Sequence, residues 1–219
     1  MTLLAINGSP RGRVSNTKKL IEYFTKDITH STVNVLHLKE YYDQDDLQSA
    51  ISTIKDHKYI LIGFPLYADW TPGFVKEFLE QMGECQEVFT NKHFLFMVQC
   101  GFPESHHCRY VERYCERFTK RIGANYIGTI VRGGSEGARI IPKKFFKDAQ
   151  RLAELGKLFE NEKNLDQPLL KAIAKPEKLS KVRLFLVKIS LKFPISNLYW
   201  NSQLKKNGVY DHRFDKPYR

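Results

Sequence analysis

The sequence predicts an α/β fold in which a five-stranded parallel sheet is covered by helices on both faces. Five short apolar runs begin roughly 30 residues apart, a spacing that accommodates a strand, a helix and two loops. The runs are continuous rather than alternating, which is typical of parallel strands buried on both faces. The predicted strands are Leu3–Ile6, Val33–Leu36, Tyr59–Ile62, Phe94–Val98 and Tyr126–Val131.

Helix-like segments fill the intervals between these strands and follow the last one. Ser15 is a good N-cap for the first helix. Pro72 suits the first position of the third helix, because proline lacks only an N–H that has no partner there. The predicted helices are Asn16–Lys26, Asp45–Asp56, Pro72–Gly83, Ser105–Ile122 and Lys143–Glu160. We therefore assign one α/β domain to residues 1–160.

The alternation of strands and helices stops after residue 160, and residues 161–219 form a basic C-terminal extension. Their net charge is +8, whereas that of residues 1–160 is +3. The pattern at Lys178–Phe193 predicts a helix that packs on the domain or on a second subunit; contact with a membrane surface is the less favoured alternative. The aromatic residues within Asn197–Arg219 favour a docked segment over free disorder.

Composition excludes several classes of protein. Hydrophobic residues make up 42% and charged residues 27% of the 219 residues, as in a globular chain. No apolar run reaches the roughly 18 residues of a membrane span, and the N-terminus does not resemble a signal peptide. The four cysteines form no Cys-x-x-Cys pair, so we expect free thiols and a cytoplasmic location. Because the positive charge is concentrated in the extension, we expect no nucleic-acid partner.

The loop after the first strand has the composition of a phosphate-binding loop. Ligands of open parallel sheets bind at the carboxyl ends of the strands. Here Gly8 and Pro10 turn the chain, Arg11 supplies a cation, and the helix that Ser15 caps presents its first amides. The loop matches neither the Walker A nor the Gly-x-Gly-x-x-Gly pattern. The alternative interpretation is an ordinary polar turn before a helix.

Two further loops carry aromatic residues at the same edge. Tyr67 and Trp70 follow the third strand, and Phe102 follows the fourth. Such residues suit a flat conjugated ligand, although packing in the core or in a dimer is an alternative role for Tyr67 and Trp70. In the flavodoxin-like strand order 2-1-3-4-5 the three loops would meet. One phosphate loop and two ring-binding loops predict a site for flavin mononucleotide (FMN).

At these residues the sequence resembles the flavodoxin-like family of NAD(P)H-dependent FMN reductases over roughly residues 1–160. The matching segments are Gly8-Ser9-Pro10-Arg11, Ser15-Asn16-Thr17, Pro65-Leu66-Tyr67, Pro72-Gly73, Lys76-Glu77-Phe78 and Cys100-Gly101-Phe102-Pro103-Glu104. The resemblance implies a phosphate-binding role for Ser9, Arg11, Ser15, Asn16 and Thr17. It implies contact with the isoalloxazine ring for Pro65, Leu66, Tyr67, Ala68, Asp69, Trp70, Gly101 and Phe102.

The same resemblance implies an enzyme that takes hydride from NADH or NADPH and passes electrons through FMN to a small acceptor, such as a quinone or another electrophile. It also implies a homodimer. The flavin carries the chemistry, so no catalytic side chain is expected. The alternative function is a flavin-binding interaction or membrane-surface module that uses its basic tail without turnover.

Two remaining motifs are given no catalytic or metal-binding role. Gly134-Ser135-Glu136-Gly137 departs from the Gly-x-Ser-x-Gly nucleophile motif and is interpreted as a turn that touches the edge of the cofactor. His106-His107-Cys108 invites a metal hypothesis. However, adjacent residues point apart on a helix, and structural zinc takes four ligands. We therefore predict no metal site.

Overall fold

The computed structural model describes residues 1–136, 138, 146–190 and 197–216 of the chain. Five strands form one sheet in the order β2-β1-β3-β4-β5, and all neighbouring strands are parallel. The strands are β1 (Thr2–Asn7), β2 (Thr32–His37), β3 (Tyr59–Pro65), β4 (His93–Gln99) and β5 (Asn125–Arg132). The predicted fold class and strand order are confirmed.

Helices connect the strands and continue beyond them. Within the described residues they are α1 (Asn16–Thr25), α2 (Leu38–Tyr42), α3 (Leu47–Ile54), α4 (Gly73–Glu84), α5 (Arg109–Arg121), α6 (Phe146–Glu162), α7 (Gln167–Ile173), α8 (Lys181–Ser190) and α9 (Leu198–Lys206). Short 3₁₀ helices occupy Gln86–Phe89 and Ser105–Cys108.

The helices differ from the predicted segments mainly at their ends. Pro72 is the N-cap of α4 rather than its first helical residue, because its ψ of 144° is extended. The single helix predicted at Ser105–Ile122 is divided into the 3₁₀ helix Ser105–Cys108 and α5. Residues 143–145 of the fifth predicted helix lie outside the described residues. The short helices α2 and α7 have no counterpart in the prediction.

The hydrophobic core lies on both faces of the sheet. One face packs against α2, α3, α4 and α5, and the other packs against α1, α6 and α7. Strand β3 is buried along its whole length, as expected. The expectation of burial on both faces is wrong for β2, where Val35 is 48% exposed. The reason is that β2 is an edge strand with one neighbour.

The chain divides into two compact units, Met1–Lys178 and Leu179–Arg219. The second unit contains α8, which corresponds to the helix predicted at Lys178–Phe193, although residues 191–193 are outside the described part. All residues from Lys181 to Ile189 are exposed, apolar ones included. Among the described residues, no helix has both the length and the apolar character that crossing a bilayer requires.

Candidate functional site

The loop that follows β1 is held in place by the buried side chain of Asn7. Its Nδ2 donates to the Gly12 carbonyl oxygen at 2.8 Å and lies 3.0 Å from His37 Nδ1. Its Oδ1 accepts a hydrogen bond from the Ser9 backbone N–H at 3.2 Å. Gly12 has a φ of +53°, a conformation in which glycine is unstrained. The loop backbone is therefore fixed by the protein itself.

Helix α1 begins directly after this loop, and its first turn contributes a binding surface for an anion. Ser15 Oγ accepts a hydrogen bond from the Lys18 N–H at 3.1 Å, which confirms the predicted N-cap. Asn16, the first residue of α1, lines the cavity described below, whereas Thr17 is fully buried. Helix N-termini carry partial positive charge, so the start of α1 beside this loop favours an anionic ligand.

The two arginines of the loop have different surroundings. Arg13 forms a double hydrogen bond with Glu40, at 2.5 Å from Nε to Oε1 and 2.9 Å from Nη2 to Oε2. This contact holds the pKa of Glu40 below its ordinary value. Arg11 has no ion pair within the described part of the chain. Arg11 is therefore the loop cation whose charge is available to a ligand.

A small cavity of about 70 Å³ lies where the loops after β1, β3, β4 and β5 meet. The strand order explains this meeting, because β1, β3, β4 and β5 are consecutive neighbours and parallel strands end at one edge. The residues that line the cavity are Ser9, Arg11, Asn16, Pro65, Leu66, Tyr67, Gln99, Cys100, Gly101 and Glu136. Pockets for drug-sized ligands are about 300–1,000 Å³, so this cavity suits one small group of a larger ligand.

Seven of the predicted site residues line this cavity: Ser9, Arg11, Asn16, Pro65, Leu66, Tyr67 and Gly101. The side chains of Ser15 and Thr17 are instead used inside the protein. Ser15 Oγ caps α1, and Thr17 Oγ1 accepts a hydrogen bond from Gln99 Nε2 at 3.2 Å. Neither residue lines the cavity.

The loop after β3 forms a tight turn at residues 67–70. Tyr67 and Trp70 exchange two backbone hydrogen bonds, of 2.9 and 3.0 Å. Between them, Ala68 and Asp69 have φ angles of +48° and +58°. Positive φ values are uncommon for residues other than glycine, and they cluster at functional sites.

The two aromatic residues of this turn have different neighbours. Tyr67 lines the cavity and is 49% exposed. The ring of Trp70 lies 4.9 Å from that of Tyr114 on α5. Of the residues predicted to contact the flavin ring, four do not line the cavity: Ala68, Asp69, Trp70 and Phe102. Every contact with the ring stays a prediction.

The loop after β4 presents Phe102 beside the cavity residue Gly101. Phe102 is 56% exposed, and its ring stacks on His107 at 4.7 Å. Cys100 also lines the cavity, and its thiol donates to the carbonyl oxygens of Phe102 at 3.5 Å and Glu104 at 3.8 Å. The Cys108 thiol lowers the pKa of Cys100, and the Cys100 thiol raises that of Cys108. All four cysteines of the chain are free thiols, as expected.

Three residues that line the cavity were not predicted as site residues: Gln99, Cys100 and Glu136. Gln99 Oε1 contacts the Ser135 hydroxyl, and the Glu136 carbonyl oxygen accepts a hydrogen bond from Asn16 Nδ2 at 3.0 Å. These contacts bring the loop after β5 to the start of α1. Gln99 could have been identified from the sequence, because it is a polar residue at the end of an otherwise apolar strand.

The donors around the cavity fit a phosphate group. The Ser9 hydroxyl and the Arg11 guanidinium line the cavity as hydrogen-bond donors, and the guanidinium has no ion pair among the described residues. The exposed rings of Tyr67 and Phe102 stand at the rim, where a planar ring would extend beyond the small cavity. The residues present therefore fit FMN, with its phosphate in the cavity.

Comparison with known families identifies one match. The model of the family described as NADPH-dependent FMN reductase matches residues 1–132. This segment covers all five strands and the loops after the first four of them. No curated protein matches the chain in sequence.

Several solved structures share the fold at low sequence identity. An NADH:FMN oxidoreductase in its apo form is 18% identical, with a TM-score of 0.57, over 80% of this chain and 96% of that one. General stress protein 14 of Treponema denticola in complex with FMN is 19% identical (TM-score 0.55; 74% and 98% covered). An NADPH-quinone reductase of P. pentosaceus is 16% identical (TM-score 0.55; 73% and 98% covered).

Proposed function

Because this chain belongs to the NADPH-dependent FMN reductase family, we propose that it passes electrons from NADH or NADPH through FMN to a small acceptor, a quinone or another electrophile. Membership makes the protein an NAD(P)H-dependent FMN oxidoreductase. The structural neighbour described as an NADPH-quinone reductase supports a quinone as the first acceptor to test. The acceptor and the residue roles below are parts of the proposal.

The observation that carries the proposal is the set of donors around the cavity after β1. In the proposal, Arg11, Ser9 and Asn16 bind the FMN phosphate with their side chains, and Ser15 and Thr17 contribute the first turn of α1. Asn7 is a positioning residue, because it holds the loop and does not line the cavity.

The isoalloxazine ring would lie against the loops after β3 and β4. In the proposal one face of the ring lies on Pro65, Leu66 and Gly101, and the edges of the ring contact Tyr67 and Phe102. Ala68, Asp69 and Trp70 complete the turn that borders it. The backbone of this turn is fixed by two hydrogen bonds, so it offers the ring a preformed surface.

Bound FMN supplies the redox chemistry, since the flavin ring accepts a hydride and releases electrons one or two at a time. The side chains of this protein bind and orient the cofactor, and in the proposal none serves as a nucleophile or as a general acid. The open rim beside Tyr67 and Phe102 leaves one side of the ring accessible to the nicotinamide and then to the acceptor.

The decisive experiment compares Arg11→Ala with Arg13→Ala. The two arginines belong to the same loop, but the charge of Arg13 is already neutralised by Glu40. Hydrogen bonds to charged groups contribute about 1.5–3 kcal/mol, so Arg11→Ala should weaken FMN binding by roughly 10- to 100-fold. Arg13→Ala should bind FMN as the wild type does.

The readouts are the visible spectrum after FMN addition and desalting, and the oxidation of NADH or NADPH with a quinone. Wild-type protein that retains no flavin, or equal affinities of the two variants for FMN, would overturn the assignment of this loop. If the protein retained flavin but oxidised neither NADH nor NADPH with any of the acceptors tested, the proposed reaction would be overturned, and the proposed binding site would be unaffected.

The proposal includes a homodimer in the cytoplasm. A homodimer follows from the resemblance to the family, and light scattering after size exclusion would measure it. The four free thiols support a reducing compartment. Fractionation of the native host, followed by immunodetection of the protein, would test the location.

A further inference from the structure

Two adjacent histidines lie together in the 3₁₀ helix Ser105–Cys108. The rings of His106 and His107 are 4.2 Å apart between centroids and are inclined by 34°. The expectation that adjacent side chains point apart is therefore wrong here. The His106 ring contacts the Glu177 carbonyl oxygen and the His107 ring stacks on Phe102, and these contacts outside the helix turn the two imidazoles toward one another.

Glu104 completes a cluster of three ligating side chains with these histidines. One ligand atom from each of Glu104, His106 and His107 lies within 4.8 Å of the others. All three residues are partly exposed, so an ion from solvent can reach them. Zinc bonds of about 2.0–2.1 Å in tetrahedral geometry place ligand atoms about 3.4 Å apart, which small side-chain rotations would achieve.

The Nδ1 atoms of both histidines already face oxygen atoms of the protein. His106 Nδ1 lies 3.2 Å from the Glu177 carbonyl oxygen, and His107 Nδ1 lies 3.5 Å from Asp69 Oδ1. Histidines that ligate metals usually place one ring nitrogen against a backbone carbonyl or a carboxylate in this way. The Nε2 atoms of both rings have no hydrogen bond or ion pair among the described residues.

We propose that Glu104, His106 and His107 form a binding site for a divalent transition-metal ion of the zinc class. Two imidazoles and one carboxylate suit zinc and similar ions, whereas magnesium and calcium prefer sites made of oxygen atoms alone. Three protein ligands leave a fourth position for water. Asp69 and Glu177 act as positioning residues that orient the two rings.

The site adjoins the loops assigned to the flavin without depending on it. Asp69 belongs to the turn after β3, and Phe102 stacks on His107. An ion bound here would hold the loop after β4 against the turn after β3. Metal binding can be measured whether or not FMN is present, so the two proposals fail separately.

The test is zinc binding by the full-length protein after removal of metal with a chelator. Calorimetry and elemental analysis after dialysis should give a single tightly bound zinc ion per chain. Loss of a ligand in His106→Gln or His107→Gln should weaken zinc binding by at least about 10-fold. His30→Gln is the matched control, because His30 is an exposed histidine remote from the cluster in sequence. The zinc affinity of this variant should equal that of the wild type.

Chemical modification of histidine in the wild-type protein provides a second measurement that is independent of variant folding. Zinc should protect His106 and His107, but not His30, from acylation by diethyl pyrocarbonate, as read by mass spectrometry. Circular dichroism would confirm that each variant is folded. The proposal is overturned if zinc does not bind, if the cluster variants retain wild-type affinity, or if His106 and His107 remain unprotected.

Discussion

Replacement of Asn7 by alanine tests whether one buried carboxamide holds the proposed phosphate loop. Asn7 is fully buried at the end of β1. Its Nδ2 donates to the Gly12 carbonyl oxygen at 2.8 Å, and its Oδ1 accepts from the Ser9 N–H at 3.2 Å. Its Nδ2 also lies 3.0 Å from His37 Nδ1 and 3.4 Å from Ser15 Oγ. Asn7→Ala removes these contacts and leaves the partner groups in place.

The expected loss of stability follows from the number of buried polar groups that lose a hydrogen-bond partner. Leaving one buried polar group without a hydrogen bond costs about 1–3 kcal/mol. Water can reach part of the loop, because Arg11 and Arg13 are exposed. We therefore expect the free energy of unfolding to fall by about 2–4 kcal/mol. For a chain of this length the melting temperature would fall by roughly 4–16 °C. FMN affinity should also fall, since the loop would no longer be held in its binding conformation.

The matched control is Asn34→Ala. Asn34 Nδ2 also contacts a histidine, His57 Nε2 at 2.7 Å, but Asn34 is exposed on the edge strand β2. Water replaces the lost contact there, so the change should stay within about 0.5–1 kcal/mol. Urea unfolding followed by circular dichroism measures stability, and quenching of FMN fluorescence measures affinity. Equal stabilities of the two variants, or unchanged FMN affinity in Asn7→Ala, would refute the role given to Asn7.

Two further changes test the loop and the packing of the helices. Burial, and then the charge of Arg13, lowers the pKa of His37 below its ordinary 6.5. The unfolded chain therefore binds more protons, and stability should fall as the pH drops below about 6.5; because burial also lowers the pKa of His93, His37→Gln should reduce this loss in urea titrations rather than abolish it. A β-carbon on Gly156 would overlap the Phe24 carbonyl oxygen, so Gly156→Ala should cost about 1–3 kcal/mol or more in thermal unfolding. A β-carbon on Gly83 would meet no described atom within 4 Å, so Gly83→Ala should stabilise α4 by about 0.5–1 kcal/mol. A Gly156→Ala variant more stable than Gly83→Ala would contradict the packing argument.

The strands could be predicted because their signal is local. Each apolar run became a strand, and each strand extends at most a few residues beyond the run. The continuous pattern overestimated burial at β2 and in the first half of β5, which are the two edge strands of the sheet. Ser15 was predicted as an N-cap because its hydrogen bond reaches only three residues along the chain.

The loops of the site could also be located, but not the orientation of every side chain in them. The contact of Thr17 with phosphate and that of Trp70 with the flavin stay predictions. The Thr17 hydroxyl accepts a hydrogen bond from Gln99, 82 residues away in sequence, and the Trp70 ring lies 4.9 Å from that of Tyr114; no local pattern indicates either contact. Glu136 lines the cavity because the loop after β5 reaches the start of α1, a contact between residues 120 apart in sequence.

The sequence by itself determined the alternation of strands and helices, the loop with Arg11 and the cap at Ser15. These features depend on apolar periodicity and on hydrogen bonds between near neighbours in the chain. Only the tertiary structure decided that Arg13 is paired while Arg11 has no ion pair among the described residues, that Asn7 holds the loop, and that His106 faces His107. Those outcomes depend on contacts between segments distant in sequence, and no local pattern of residue types specifies them.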